Sequence, residues 1–199
     1  MHDNNSGSGS VGLESLSRGA HHATFVDMSR DCCGACEENV ARCGFDTWNE
    51  GGLGADEGEP TARVVCSDAF RALREPESVG IPPVPYEVLT LCPPYEEIVY
   101  SELLEAAANS VLVKEDTVLL VEYPVELVCL PHVIKREDGG VLVGVRNRKY
   151  GRTVSVGIIL PQRVMAHCLT STLLWLSGAS LLGHCHVHCK SDRRTRGVH

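Results

Sequence analysis

Ser6-Gly7-Ser8-Gly9-Ser10-Val11-Gly12 carries the spacing G-x-G-x-x-G, the pattern that lets a backbone approach a nucleotide's phosphates. Alone it is a weak sign, because Gly and Ser also build flexible linkers. The residues before it, Met1-His2-Asp3-Asn4-Asn5, are polar and lack the apolar run of a buried strand. Three readings are therefore open at this point: a phosphate cradle, a different nucleoside site, or a loose N-terminus.

Composition narrows the class. A chain of 199 residues fits one domain with a real core, and 43% apolar with 22% charged residues is ordinary for a globular protein. Aromatic residues are sparse at 5%, so the core must rest on Val, Leu, Ile and Ala. A net charge of -8 argues against non-specific attraction to nucleic acid; such a partner has to be met by a local basic patch. The 10 cysteines are scattered and no secretory signal precedes them, which predicts reduced, buried thiols in an intracellular protein. Cys32, Cys33 and Cys36 fall in a helical stretch, while Cys66, Cys92 and Cys129 lie in or beside apolar runs. No segment reaches the roughly 18–20 apolar residues of a membrane span; residues 173–182 come nearest.

Periodicity outlines the elements. Leu13, Leu16 and Ala20 share a helical face that ends at Gly19, and Ala23-Thr24-Phe25-Val26 is a buried strand closed by Asp27. Ser29 caps a second helix, with Ala35, Val40 and Cys43 inward, Glu37, Glu38 and Arg42 outward, and Gly44 as its stop. Residues 49–59 are a Gly-rich acidic loop. Arg63-Val64-Val65-Cys66-Ser67 is a strand ending at Asp68, and residues 76–85 are a Pro-rich connection. Glu87-Val88-Leu89-Thr90-Leu91 is a strand stopped by Cys92-Pro93-Pro94-Tyr95. Residues 97–110 space Ile98, Leu103, Leu104 and Ala107 as a helix, and Val118-Leu119-Leu120-Val121-Glu122 is a further strand. Residues 141–145 and 154–159, joined by Asn147-Arg148-Lys149-Tyr150-Gly151, form a hairpin. Alternating strands and helices with a terminal hairpin predict an open parallel sheet, helices on both faces and an antiparallel edge. Ligands of such sheets bind beyond the carboxyl ends of the strands, where the glycines, Asp27, Asp68 and Cys92 to Tyr95 all converge.

Asp27 can accept hydrogen bonds from ribose hydroxyls, which suits a nicotinamide dinucleotide and S-adenosylmethionine equally; it can also cap the next helix. Asp68, one strand on, can accept from an adenine amino group or cap the helix that follows. Cys92-Pro93-Pro94-Tyr95 separates the cofactors. Two prolines stiffen the backbone and remove two N–H donors, leaving carbonyls at the rim. A base amino group can donate to those carbonyls while Tyr95 stacks on the base. That aligns the amine with an electrophilic methyl group, and a hydride-transferring enzyme has no comparable use for it.

These residues also carry a family resemblance. Gly7 to Ala20, read as Gly-Ser-Gly-Ser-Val-Gly-Leu-Glu-Ser-Leu-Ser-Arg-Gly-Ala, resembles the first motif of the RsmD-type RNA methyltransferases. Phe25-Val26-Asp27, Cys66-Ser67-Asp68-Ala69, Pro93-Pro94-Tyr95 and Leu120-Val121-Glu122 follow in the family's order. Glu96-Glu97-Ile98-Val99-Tyr100, Glu122-Tyr123-Pro124 and Tyr150-Gly151-Arg152-Thr153 are similar to its plant and algal branch. The resemblance implies an α/β, Rossmann-like sheet of the class I S-adenosylmethionine-dependent methyltransferases. It implies methyl transfer to guanine N2 of small-subunit ribosomal RNA. Asp3, Gly7, Gly9, Gly12, Asp27, Asp68 and Ala69 would then hold the cofactor, and Cys92, Pro93, Pro94 and Tyr95 the target base, with no metal required. The partner would be ribosomal RNA or an assembling small subunit, met by a monomer without membrane contact. The branch implies a chloroplast, although no Arg- and Ser-rich transit peptide is visible.

Three departures qualify that reading. Asn4-Asn5-Ser6 stand where the family has an apolar first strand, so this strand is expected to be poor or missing, as in an N-terminally truncated chain. Cys92 replaces the usual polar acceptor, and a thiol accepts weakly, so impaired catalysis is expected with the Pro93 carbonyl as chief acceptor. The methyltransferase domain is placed at residues 1–160. Residues 161–199 read as a disordered or irregular tail whose His184-Cys185-His186-Val187-His188-Cys189 is too crowded for a tetrahedral zinc site. Arg146, Arg148, Lys149 and Arg152 supply a basic patch on the hairpin, or simply a solvated turn. The alternatives are adenine-N6 methylation of DNA or RNA, and a degenerate remnant that binds cofactor or RNA without turnover.

Overall fold

The computed structural model describes residues 7–47, 60–95, 98–127, 129–151, 153–159 and 172–177. In chain order its elements are α1 (Ser10–Ser17), β1 (His22–Asp27), α2 (Arg30–Cys43), β2 (Asp46–Thr47), β3 (Thr61–Cys66), α3 (Ala69–Arg74) and β4 (Tyr86–Cys92). There follow α4 (Tyr100–Ala108), β5 (Val113–Pro124), β6 (Val133–Lys135), β7 (Val141–Tyr150), β8 (Thr153–Ile159) and β9 (Thr172–Ser177). The strands make one sheet in the order β2-β3-β1-β9-β4-β5-β8-β7-β6. It is parallel from β2 to β5 and antiparallel from β8 to β6.

The local signals act where the sequence puts them. In β1 every residue after His22 is buried, as expected of a strand covered on both faces. The Ser29 hydroxyl accepts from the Cys32 N–H to open α2, and Gly44, at φ 75°, closes it in the left-handed conformation. Leu89, Leu91, Leu119 and Val121 pack with Leu103 and Leu104 of α4 in one core cluster. Leu13 and Leu16 of α1 pack with Phe25, Cys36 and Val40 in a second. His22 also anchors a polar chain at the amino end of the sheet, its ring nitrogens lying 2.8 Å from Thr61 Oγ1 and 3.0 Å from Thr24 Oγ1.

Several expectations are corrected. The hairpin turn is tighter than predicted: β7 runs on to Tyr150, and Asn147, Arg148 and Lys149 pair with Val156, Ser155 and Val154. Gly151, at φ 61°, permits the abrupt reversal. Helix α4 begins at Tyr100, three residues later than its periodicity predicts. Strand β5 begins earlier, at Val113, because the Thr117 hydroxyl bridges the irregular step beside β4. It accepts from the Lys114 N–H at 2.9 Å and donates to the Tyr86 carbonyl at 2.6 Å. Cys32, Cys33, Cys36 and Cys92 are buried as free thiols, but Cys66 and Cys129 are exposed; Cys66 sits at the open carboxyl end of β3.

A further finding concerns the place expected of the first strand; Asn4, Asn5 and Ser6 themselves lie outside the described residues. The position beside the glycine loop, between β1 and β4, is filled by Thr172–Ser177. Its register runs from His22 with Thr172 to Asp27 with Ser177 on one side, and from Val88 with Leu173 to Cys92 with Ser177 on the other. The sheet therefore has a strand in that position, and these six residues of the tail are regular. The physical reason is twofold. Thr-Leu-Leu-Trp-Leu-Ser is an apolar run suited to a buried strand. A gap between two parallel strands would also leave two rows of main-chain donors and acceptors without partners. The rest of the tail, with its His and Cys run, and the acidic loop at 49–59 lie outside the described residues.

Candidate functional site

The carboxyl ends of β3, β1, β9 and β4 lie side by side. Cys66 pairs with Asp27, Asp27 with Ser177, and Ser177 with Cys92. This is the rim to which the sequence assigns the site.

On the β1 side stands the glycine loop. Gly9 precedes α1 in the left-handed conformation, at φ 72°. A Cβ there would come within 2.6 Å of Cys36 Sγ, so the position is closed to side chains twice over. At Gly12 a Cβ would run into the Phe25 ring, which makes this glycine a packing residue that lets α1 lie close on β1. The loop is pinned from α2, whose Asn39 donates to the Ser8 carbonyl at 3.0 Å. Gly7 and Gly9 line a recess with Asp27, Cys32, Cys33 and Cys36. The Cys33 and Cys36 thiols are pushed up to about 12, chiefly by burial, so both stay protonated and offer no nucleophile.

Asp27 is only 6% exposed, and its carboxylate accepts from the Ser29 N–H at 2.8 Å while holding the turn into α2. The Ser67 N–H donates to the Asp27 carbonyl at 2.9 Å, which brings the end of β3 and Asp68 alongside. Asp68 is exposed and caps α3, accepting from the Arg71 N–H at 3.0 Å; Ala69 is the first residue of that helix. Asp3 lies outside the described residues.

On the β4 side the backbone leaves the sheet through Cys92 and buried Pro93 into half-buried Pro94 and Tyr95. The Tyr95 and Thr153 hydroxyls are hydrogen-bonded at 2.8 Å, which holds the tyrosine against β8. The Cys92 thiol and the carboxylate of Glu122 on the neighbouring strand interact, each affecting the other's ionisation. Burial first, and then the Glu122 charge, push the Cys92 thiol well up. Burial likewise raises Glu122 above the usual carboxylate range, while the interaction with Cys92 opposes the shift. Tyr100 donates to the Glu122 carbonyl at 3.3 Å. The sequence marks Glu122 only as the polar end of a buried strand. Its adjacency to Cys92 follows from the β4–β5 pairing, in which Leu91 lies opposite Val121.

Other placements are more distant. Arg146, Arg148 and Lys149 are exposed on β7, beyond β5 and β8 from the glycines; Arg152 lies outside the described residues. Among the described residues no group of His, Cys, Asp or Glu could hold a metal ion. No helix among them is long and apolar enough to cross a membrane.

Solved structures share this architecture. A conserved hypothetical protein of Streptococcus pyogenes matches with a TM-score of 0.60 and 22% identity, over 81% of this chain and 86% of its own. A Haemophilus influenzae protein provisionally named a methylase matches with a TM-score of 0.55 and 19% identity, over 79% and 77%. A provisionally named methyltransferase of Escherichia coli matches with a TM-score of 0.56 and 24% identity, over 78% and 74%. The shared fold is the α/β, Rossmann-like sheet of class I methyltransferases. No curated protein matches the chain. The model of one family spans residues 1–156, which takes in every part of the rim except β9, and the chain thus belongs to the family Conserved hypothetical protein 95.

Proposed function

We propose that this chain transfers a methyl group from S-adenosylmethionine to guanine N2 in small-subunit ribosomal RNA. The observation that carries this reading is the level placement of Asp27 and Cys92 at one rim, with Glu122 beside Cys92.

The residues present fit the cofactor. Helix α1 opens with no capping side chain and no acidic residue in its first turn, so its N–H groups are suited to a carboxylate. In this reading Asp27 would accept from ribose hydroxyls, Asp68 and the start of α3 at Ala69 would meet the adenine, and Gly7 and Gly9 would allow close main-chain approach. When bound, S-adenosylmethionine supplies an electrophilic methyl group. The chain's own residues do the rest: the Pro93 carbonyl accepts from the base amine, Tyr95 covers the base face, and alignment supplies the main rate gain. Transfer would leave S-adenosylhomocysteine and a protonated N2, whose proton, now acidic, would pass to water.

Glu122 favours guanine. The Watson–Crick edge of guanine presents N1–H and the N2 amino group side by side, two donors that one carboxylate can accept together. Adenine presents its N6 amino group beside a lone pair at N1, which a second carboxylate oxygen would repel. Ribosomal RNA would be met in part by Arg146, Arg148 and Lys149, a local patch on an otherwise acidic chain.

Calorimetry with S-adenosylhomocysteine, followed by methyl transfer to undermethylated small ribosomal subunits, tests this. Saturable binding and N2-methylguanosine in the digested RNA are expected. N6-methyladenosine instead would move the reading to the adenine enzymes. Binding without transfer would leave a degenerate cofactor-binding remnant, and no binding would overturn both.

A further inference from the structure

The rim is built from two half-sheets whose main-chain pairing, among the described residues, passes through β9, while the Thr24 and Tyr86 hydroxyls link β1 to β4 at 2.8 Å near the amino end. The glycine loop and Asp27 belong to β2-β3-β1, whereas Cys92 to Tyr95 and Glu122 belong to β4-β5-β8-β7-β6. Main-chain pairing between the halves runs through Thr172–Ser177, with Asp27 opposite Ser177 and Ser177 opposite Cys92. Strand spacing is about 4.8 Å, so this one strand sets roughly 10 Å between the backbones of Asp27 and Cys92. Strand β9 also touches α1, the helix that follows the glycine loop. It lies beyond residues 1–156, the part that matches the family.

We propose that β9 is a dockable part of the cofactor site, so that S-adenosylmethionine binds only while Thr172–Ser177 occupies its place between β1 and β4. The inference rests on the methyltransferase reading above. The occupant is the chain's own segment. The β8 strand ends at Ile159 beside Val118, and β9 begins at Thr172 beside His22, both at the amino edge of the parallel strands. A connection through residues 160–171 has ample reach, since an extended chain spans about 3.3–3.6 Å per residue. Withdrawal of the strand would leave one edge of β1 and one edge of β4 without main-chain partners, and the rim without its central strand. Binding and docking are then linked, and linkage is reciprocal: whatever β9 does for the cofactor, the cofactor does for β9.

Reciprocity gives a test on the unaltered full chain. Hydrogen exchange of the amides in residues 172–177 is compared without ligand and with S-adenosylhomocysteine at about 100 times its Kd. If opening of β9 abolishes binding, these amides should exchange roughly 100-fold more slowly with ligand. A second arm places a specific protease site within residues 160–171, cleaves the folded chain and removes the C-terminal fragment. Affinity should fall at least about tenfold and return saturably when a peptide containing residues 170–179 is added. Ligand binding with unchanged exchange in 172–177 overturns this inference alone, as does full affinity after the fragment is gone. No binding by the intact chain overturns the cofactor reading and this inference together.

Discussion

Asp27 and Cys92 stand level across the sheet, each opposite Ser177 from its own side of β9. One strand thus separates the carboxylate assigned to the cofactor from the residue assigned to the target amine, and the two can be perturbed independently. In Cys92→Asn the side chain keeps a donor for Glu122 and gains a carbonyl acceptor for the amine. Turnover should rise about tenfold, the worth of one good hydrogen bond, with S-adenosylhomocysteine affinity unchanged by calorimetry. An unchanged rate would mean that this side chain does not face the amine.

Glu122→Gln replaces one acceptor of the proposed guanine pair by a donor. Turnover on guanine should fall about 10–100-fold, with S-adenosylhomocysteine binding retained. RNA carrying 2-aminopurine at the target, which lacks N1–H, should be a poor substrate for the native protein and a better one for the variant. Equal use of both bases by the native protein would remove Glu122 from base recognition. Because burial raises the Glu122 pKa, the carboxylate is lost at a higher pH than usual. Activity should therefore decline with acid from above the ordinary carboxylate range, and Glu122→Gln should abolish that limb of the pH–rate profile.

The glycine loop makes a stability prediction distinct from binding. Gly12→Ala drives a Cβ into the Phe25 ring and should cost about 1–3 kcal/mol, read from urea unfolding. Shortening the ring in Phe25→Leu makes room, so the double variant should recover part of the loss. Additive losses would contradict the packing role.

His22 predicts an acid-sensitive fold. Burial first, and the Arg63 charge second, lower its pKa from 6.5 to about 4. The folded value lies below the unfolded one, so the unfolded chain takes up the proton first. Its contribution is intact above pH 6.5 and is lost as the pH falls towards 4, at up to about 1.4 kcal/mol per pH unit. Urea unfolding across this window should show that slope, and His22→Gln should flatten it.

The basic hairpin is tested through salt. Reversing the charge at Arg148 and Lys149 together should weaken RNA binding and reduce the slope of log K against log salt by about 2 or more. An unchanged slope would exclude this strand from the RNA surface.

Much of this was legible from local signals. The Ser29 cap and the Gly44 stop delimit α2 because capping and left-handed backbone are properties of single residues. The strand ends at Asp27 and Cys92, and that of β3 at Cys66 two residues before Asp68, follow from short apolar runs with abrupt polar or proline stops, and parallel topology sends those ends to one rim. The hairpin turn and the start of β5 were less legible, since they depend on Gly151 and on a hydroxyl of Thr117 bonding to another strand. Asp68 fits both a cap and a ligand in sequence, and the fold shows the cap at work.

By itself the sequence determined the alternating strands and helices, the glycine spacing and the Cys92-Pro93-Pro94-Tyr95 stop, because each depends on neighbours within a few positions. Only the tertiary structure decided which segment completes the sheet. Nothing local ties Thr172–Ser177 to a loop that begins at Gly7. The tie comes from the unpaired main-chain edges of β1 and β4, which accept a strand of suitable length and polarity whatever its position in the chain. The same pairing logic put Glu122 beside Cys92, thirty residues away in sequence and one strand away in space.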